Sequence, residues 1–156
     1  MNSKSEKREF RWLWFSLVLI LALIADWIAK QWAVESLAES EVVLIPGILT
    51  LTLRHNFGSA FGWKIMSKVG LTLITVFITI ILLWIFIKVV YIRGISLFLA
   101  GAWGNLLDRW RFGYVIDFIE PSFWATFNLA DVFIVVGIIL ILLSFWFDEK
   151  REDSSL

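Results

Sequence analysis

Four apolar runs, most of them bounded by charge, punctuate the chain. A polar start from Met1 to Arg11 gives way to Trp12–Ala25, which stops at Asp26. Val69–Ile87 carries no charge. Ile95–Leu107 ends at Asp108 and Arg109, and Val132–Phe147 lies between Asp131 and the cluster Asp148, Glu149, Lys150 and Arg151. A helix needs about 20 predominantly apolar residues to cross roughly 30 Å of hydrocarbon. Val69–Ile87 meets that need unaided, whereas the other three runs reach it only by taking in polar residues. Each addition falls at the same, outer end: Asp26 and Lys30 on the first span, Asn105, Asp108 and Arg109 on the third, Asn128 and Asp131 on the fourth. The predicted spans are about 12–33, 69–87, 93–110 and 128–147. A charge near the bilayer centre costs about 2.5–3.5 kcal/mol, so three spans deficient at one end predict a shared polar site near the outer surface.

The segment between the first two spans is too long for a simple connection. Val34–Glu41 reads as a short acidic surface helix. Val42–Ile45, the Pro46–Gly47 turn and the alternation of Ile48–Leu53 read as two short strands, within an outer β-element of about residues 42–63 on the membrane surface. The expected fold is an all-α membrane protein, one domain over residues 1–156, with four transmembrane helices, a small β-element and a short surface helix.

Composition agrees and narrows the chemistry. At 156 residues, 60% hydrophobic, 18% charged and mean hydropathy +0.82, the chain is greasier than a soluble core requires. Ten Trp, several at predicted span ends, fit interfacial belts. Net charge is zero, so no overall field argues for a nucleic-acid partner. The absence of Cys removes disulfides, thiolate metal sites and a cysteine nucleophile, and His55 alone cannot form a two-histidine zinc site. No metal and no cofactor are expected. Lys4, Lys7, Arg8 and Arg11, then Lys88 and Arg93, then Lys150 and Arg151 mark one side as cytoplasmic by the positive-inside rule, which puts both termini there. The first run resembles a signal peptide but has no clear cleavage site, and is expected to stay as an uncleaved span.

Helical spacing brings the polar residues together. Asp26 and Lys30 are i,i+4 and can pair, and Asn105 and Arg109 share a face. Asn128 can cap the fourth helix with Asp131 at its third position, where the helix N-terminus favours a carboxylate. Asp117 is a lone acid in the apolar stretch Tyr114–Ile119, close enough in sequence to meet Asp131. Two carboxylates in a partly dry site share a proton, and such a pair can hydrolyse a peptide: one activates water while the other, here Asp117, donates to the carbonyl oxygen. The residues alone leave open a catalytic dyad or two separately satisfied buried acids. Asp108 reads as an interfacial partner of Arg109, His55 as a loop residue, and a His55–Ser59 nucleophile lacks an orienting acid nearby in sequence.

Five ordered motifs carry a resemblance. Asp26-Trp27-Ile28-Ala29-Lys30, Asn56-Phe57-Gly58-Ser59-Ala60-Phe61, Gly101 through Arg109, Val115-Ile116-Asp117-Phe118-Ile119 and Phe127-Asn128-Leu129-Ala130-Asp131 together resemble bacterial lipoprotein signal peptidase, signal peptidase II. The resemblance implies an inner-membrane aspartic endopeptidase, with its active site near the periplasmic face. It would remove the signal peptide from diacylglyceryl-modified prolipoproteins by cutting before the lipidated cysteine. It implies Asp117 and Asp131 as the catalytic dyad, Asn56, Asn105, Arg109 and Asn128 as site-lining groups, and Asp26, Lys30 and Gly58 as supporting ones. It also implies a periplasmic β-cradle with a surface helix, prolipoprotein and membrane lipid as partners, inhibition by globomycin-type cyclic peptides, and a monomer. Ala100 and Trp27 depart from the family pattern, standing where a glycine and a glutamine are common.

Two rivals make different demands. A small transporter would spread its charges over the full membrane depth, whereas these sit at one end and the second span has none. A rhomboid-like serine protease is weakened by the sole histidine.

Overall fold

The computed structural model describes residues 3–57, 59–60, 63–64, 67–88 and 94–153. Gly58 and Arg93, both assigned roles above, lie outside the described residues. Helix α1 (Ser3–Ser36) runs 34 residues without a Gly or Pro to interrupt it. After it come the strands β1 (Val42–Ile45), β2 (Leu49–Asn56), β3 (Ser59–Ala60) and β4 (Trp63–Lys64), then α2 (Lys68–Lys88), α3 (Ile95–Arg111), β5 (Val115–Pro121) and α4 (Leu129–Asp153).

Among the described residues, three stretches are long and apolar enough to cross a membrane: Glu9–Ser36, Val69–Ile87 and Leu129–Trp146. Their outward faces display Leu13, Ile20 and Leu21 on α1, Leu73, Phe77 and Trp84 on α2, and Val135, Leu142 and Trp146 on α4. Such surfaces suit lipid, and a helix satisfies its backbone internally there. The hydroxyls of Thr75 and Thr79 do likewise, donating to the carbonyls of Leu71 and Thr75 at 2.9 and 2.7 Å. Helix α3 is shorter, at 17 residues, and more polar, and it packs against all three of the others. Its Ile95 and Leu99 meet Phe86 of α2 and, more peripherally, Phe15 and Leu19 of α1.

Glycines allow α3 to approach its neighbours closely. A Cβ on Gly101 would collide with the Ala130 carbonyl, and one on Gly104 would lie 2.7 Å from Asp26 Oδ2. Ala100, next to this close approach, is itself buried. Gly113, at φ 90°, ends α3 by donating its N–H to the Arg109 carbonyl in a left-handed turn that suits glycine, and directs the chain into β5.

Two expectations are corrected. Val34–Glu41 is not a surface helix: α1 continues to Ser36, and Leu37 donates back to the Ala33 carbonyl at 2.9 Å before the chain bends. Leu37 is buried with Ala33 and Phe118, so this corner is held by its apolar contact with β5. The sheet, moreover, is not confined to residues 42–63. It has the antiparallel order β1-β2-β5, with β5 arriving from between α3 and α4, and β3-β4 form a separate small ladder. Pairing of β2 with β5 sets Arg54 opposite Asp117 and Asn56 opposite Val115, with a register shift between Leu51 and Arg54. That pairing delivers Asp117 to the polar ends of the helices.

Candidate active site

Asn128 is fully buried and sits immediately before α4. Its side-chain oxygen accepts the Asp131 N–H at 3.0 Å, and its own N–H donates to Asp131 Oδ2 at 3.1 Å, a reciprocal cap that fixes the carboxylate at the helix N-terminus. The Asn128 amide nitrogen meanwhile donates to Asp117 Oδ1 at 2.7 Å, with the Ile116 carbonyl and Asn105 Oδ1 also in range at 3.2 and 2.9 Å. One residue therefore holds both acids, Asp131 through its backbone and Asp117 through its amide.

The remaining oxygens of the pair are engaged as well. Asn56 Nδ2 donates to Asp117 Oδ2 at 2.8 Å from β2, and Asn105 Nδ2 donates to Asp131 Oδ1 at 2.8 Å from α3. Asp117 is only 2% exposed. Burial pushes its carboxyl up to about 6; the donor from Asn56 opposes this, the charge of Asp131 adds to it, and Asn128 and Lys30 offset part of it.

Beneath the acids lies a buried ion cluster. Lys30, 2% exposed, places Nζ 2.7 Å from Asp26 Oδ2 and 2.8 Å from Asp108 Oδ2, and donates to Asn105 Oδ1 at 3.1 Å. Three acceptors match the three donors of an ammonium. Asp26 Oδ1 accepts the Ala130 N–H at 2.9 Å, and Asp108 Oδ2 accepts the Ile116 N–H at 3.3 Å. Asp108 is thus buried on Lys30, not an interfacial partner of Arg109. The i,i+3 spacing of Asn105 and Asp108 on one helix face was the available signal. Arg109 Nη1 donates to the Asn105 carbonyl at 3.2 Å, and its buried Nε meets no protein acceptor among the described residues.

The other candidates lie outside this constellation. His55 is on a strand, exposed, with its ring 4.2 Å from that of Tyr114, and the side chain of Ser59 is not described. Arg54 pairs with Glu120 at 3.2 Å across the sheet, an exposed contact worth about 0–1 kcal/mol. Among the described residues no group of three or more His, Cys, Asp or Glu could hold a metal. A cavity of about 300 Å³ leads to Asp131 along α4, lined otherwise by Trp124, Phe127, Val132, Val135 and Val136. Paired acids beside an apolar groove suit water-mediated cleavage of a lipophilic peptide.

Comparison with known proteins points the same way. Residues 18–147 match the family profile described as signal peptidase (SPase) II. A lipoprotein signal peptidase of Coxiella burnetii is 34% identical over 158 residues, covering 91% of this chain and 93% of the relative. One from Buchnera aphidicola is 36% identical over 152 residues, covering 87% and 95%. A solved bacterial membrane enzyme superposes with a TM-score of 0.75 at 31% identity, covering 88% of this chain and 90% of that one.

Proposed function

We propose, from the premise that the chain belongs to the signal peptidase II family, that Asp117 and Asp131 are its catalytic dyad. The protein is an aspartic-type membrane protease that removes signal peptides from lipoproteins. The observation that carries the dyad is the double grip of Asn128, which donates to one oxygen of each acid.

In this reading Asp131 accepts a proton from the attacking water. Asp117, whose raised pKa keeps it protonated longer than an ordinary carboxyl, donates to the scissile carbonyl oxygen. As the tetrahedral intermediate collapses, Asp131 gives its proton to the leaving nitrogen while the C–N bond breaks, and a hydroxyl of the gem-diol returns a proton to Asp117, which restores the pair. Asn56, Asn105 and Asn128 hold the acids at their attack geometry, and the half-buried Arg109, steadied through Nη1 on the Asn105 carbonyl, lines the site with a guanidinium. Gly58 enters this reading as a supporting residue through its place in the family motif alone.

The substrate is a prolipoprotein carrying a diacylglyceryl group on cysteine, cut on the amino side of that residue. Its acyl chains would confine the scissile bond near the interface, and the apolar groove ending at Asp131 suits such a molecule. The enzyme resides in the inner membrane, with α3 as a fourth span, both termini cytoplasmic and the sheet and dyad at the periplasmic face; the basic residues of the two tails, with Lys88 and Arg93 after the second span, support this orientation. It works as a monomer and is blocked by globomycin-type peptides that occupy the dyad.

Asp117→Asn and Asp131→Asn, made separately, test the dyad. Each is expected to abolish cleavage of a lipidated prolipoprotein while leaving the protein folded, and full activity in either sinks it.

A further inference from the structure

Lys30 has three polar partners in the buried cluster, and each leads to one of the two acids. Asp26, paired with the ammonium, accepts the N–H of Ala130, the residue before Asp131. Asp108, paired with the same ammonium, accepts the N–H of Ile116, the residue before Asp117. Asn105 accepts from Lys30 through Oδ1 and donates to Asp131 through Nδ2. The Asn128 amide also reaches Asn105 Oδ1, so both lone pairs of that oxygen are occupied by donors.

This arrangement settles which way the Asn105 amide faces. Exchanging its oxygen and nitrogen would set an NH2 group against an ammonium on one side and a carbonyl against a carboxylate on the other, two repulsive contacts in place of two attractive ones. We infer that Lys30 is a positioning residue for the reaction: it holds the donor edge of Asn105 on Asp131 and, through Asp26 and Asp108, anchors the two backbone segments that carry the acids. It does not touch substrate, being 2% exposed. The inference rests on the dyad reading, and it assigns to α1 a part in catalysis that no group on α1 could play directly.

The test separates this role from mere support of the fold. In Lys30→Met/Asp26→Asn the cluster loses one cation and one carboxylate, so its net charge is unchanged, and the new amide still offers an oxygen to the Ala130 N–H. Lys30→Gln/Asp26→Asn is the partner variant, because the glutamine amide restores a neutral donor toward Asn105 Oδ1. With purified enzyme and a lipidated prolipoprotein, the Met variant should lose kcat by on the order of 100-fold against wild type, with KM changed less than about threefold. The Gln variant should exceed the Met variant in kcat by about tenfold. A purely structural lysine predicts the reverse order, since apolar replacement of a buried ion pair is often neutral or stabilising.

A Met variant with kcat within about threefold of wild type, or one at least as active as the Gln variant, overturns the assignment. If the Met variant does not accumulate, adding Asp108→Asn to both variants removes the remaining buried charge and gives the same comparison. Asp117→Asn is run alongside: cleavage by it overturns the dyad, whereas wild-type kcat in the Met variant beside an inactive Asp117→Asn overturns only the role of Lys30.

Discussion

Asn56 reaches Asp117 diagonally across the β2–β5 pairing, Nδ2 to Oδ2 at 2.8 Å, from a position whose direct partner is Val115. This bond is the foremost influence holding the Asp117 carboxyl down against the upward push of burial. Asn56→Ala should therefore move Asp117 further up. A hydrogen bond to a charged group is worth about 1.5–3 kcal/mol, so kcat/KM at the optimum should fall by roughly tenfold or more, and the alkaline limb of the pH profile should shift to higher pH. Initial rates across pH for wild type and variant decide the matter, and an unmoved limb argues against the bond.

The wild-type profile has its own signature. With its carboxyl raised from 3.8 to about 6, Asp117 keeps its proton through a range where an ordinary aspartate has lost it. As the acid in catalysis it is competent below that value and loses competence above it, so kcat/KM should decline about tenfold per pH unit once the pH passes well beyond 6. A profile that keeps rising through neutral pH contradicts the assignment of Asp117 as proton donor.

Close packing of α3 on α1 depends on Gly104. A methyl group there would meet Asp26 Oδ2 at 2.7 Å and push that carboxylate off Lys30. Gly104→Ala should cost about 1–3 kcal/mol of stability by overpacking, seen as a lower thermal midpoint in detergent, and should lower activity more than the stability loss alone explains.

Filling the groove beside Asp131 should affect binding before chemistry. Val132→Trp places a large side chain into a cavity of about 300 Å³. KM for a lipidated substrate should rise by about tenfold with kcat little changed, and hydrolysis of the same peptide without its lipid should be affected less. Equal effects on both substrates would show that the groove does not receive the lipid-bearing part.

Because the chain has no cysteine, orientation can be read from single introduced thiols. In intact cells a membrane-impermeant maleimide should label Glu39→Cys and spare Ser3→Cys until the membrane is opened. The opposite pattern would invert the topology.

Much of the site could be read from spacing. Asp26 with Lys30 and Asn128 with Asp131 lie within one helical turn, so local geometry alone brings each pair together. What escaped was long-range. Val115–Pro121 is buried along most of its length, so it lacks the alternation that marks a half-exposed strand, and nothing in it signals pairing with β2. Asp108 likewise meets Lys30 only because α1 and α3 lie side by side, an outcome of packing that the glycines of α3 permit. The acidic stretch after Ala33 failed as a helix for a related reason: Leu37 gains more by burial against Phe118 than the short exposed segment would gain by coiling.

The cap at the start of α4 has a temporal consequence. Asp131 is at once a proposed participant in peptide hydrolysis and half of the reciprocal bond that opens the last helix, and that helix follows every other element in the chain. A nascent molecule whose final helix has not yet wound has no assembled pair of acids, however complete the rest of its fold. With Asp131 as a member of the proposed dyad, the protease would become competent only in the step that completes its architecture.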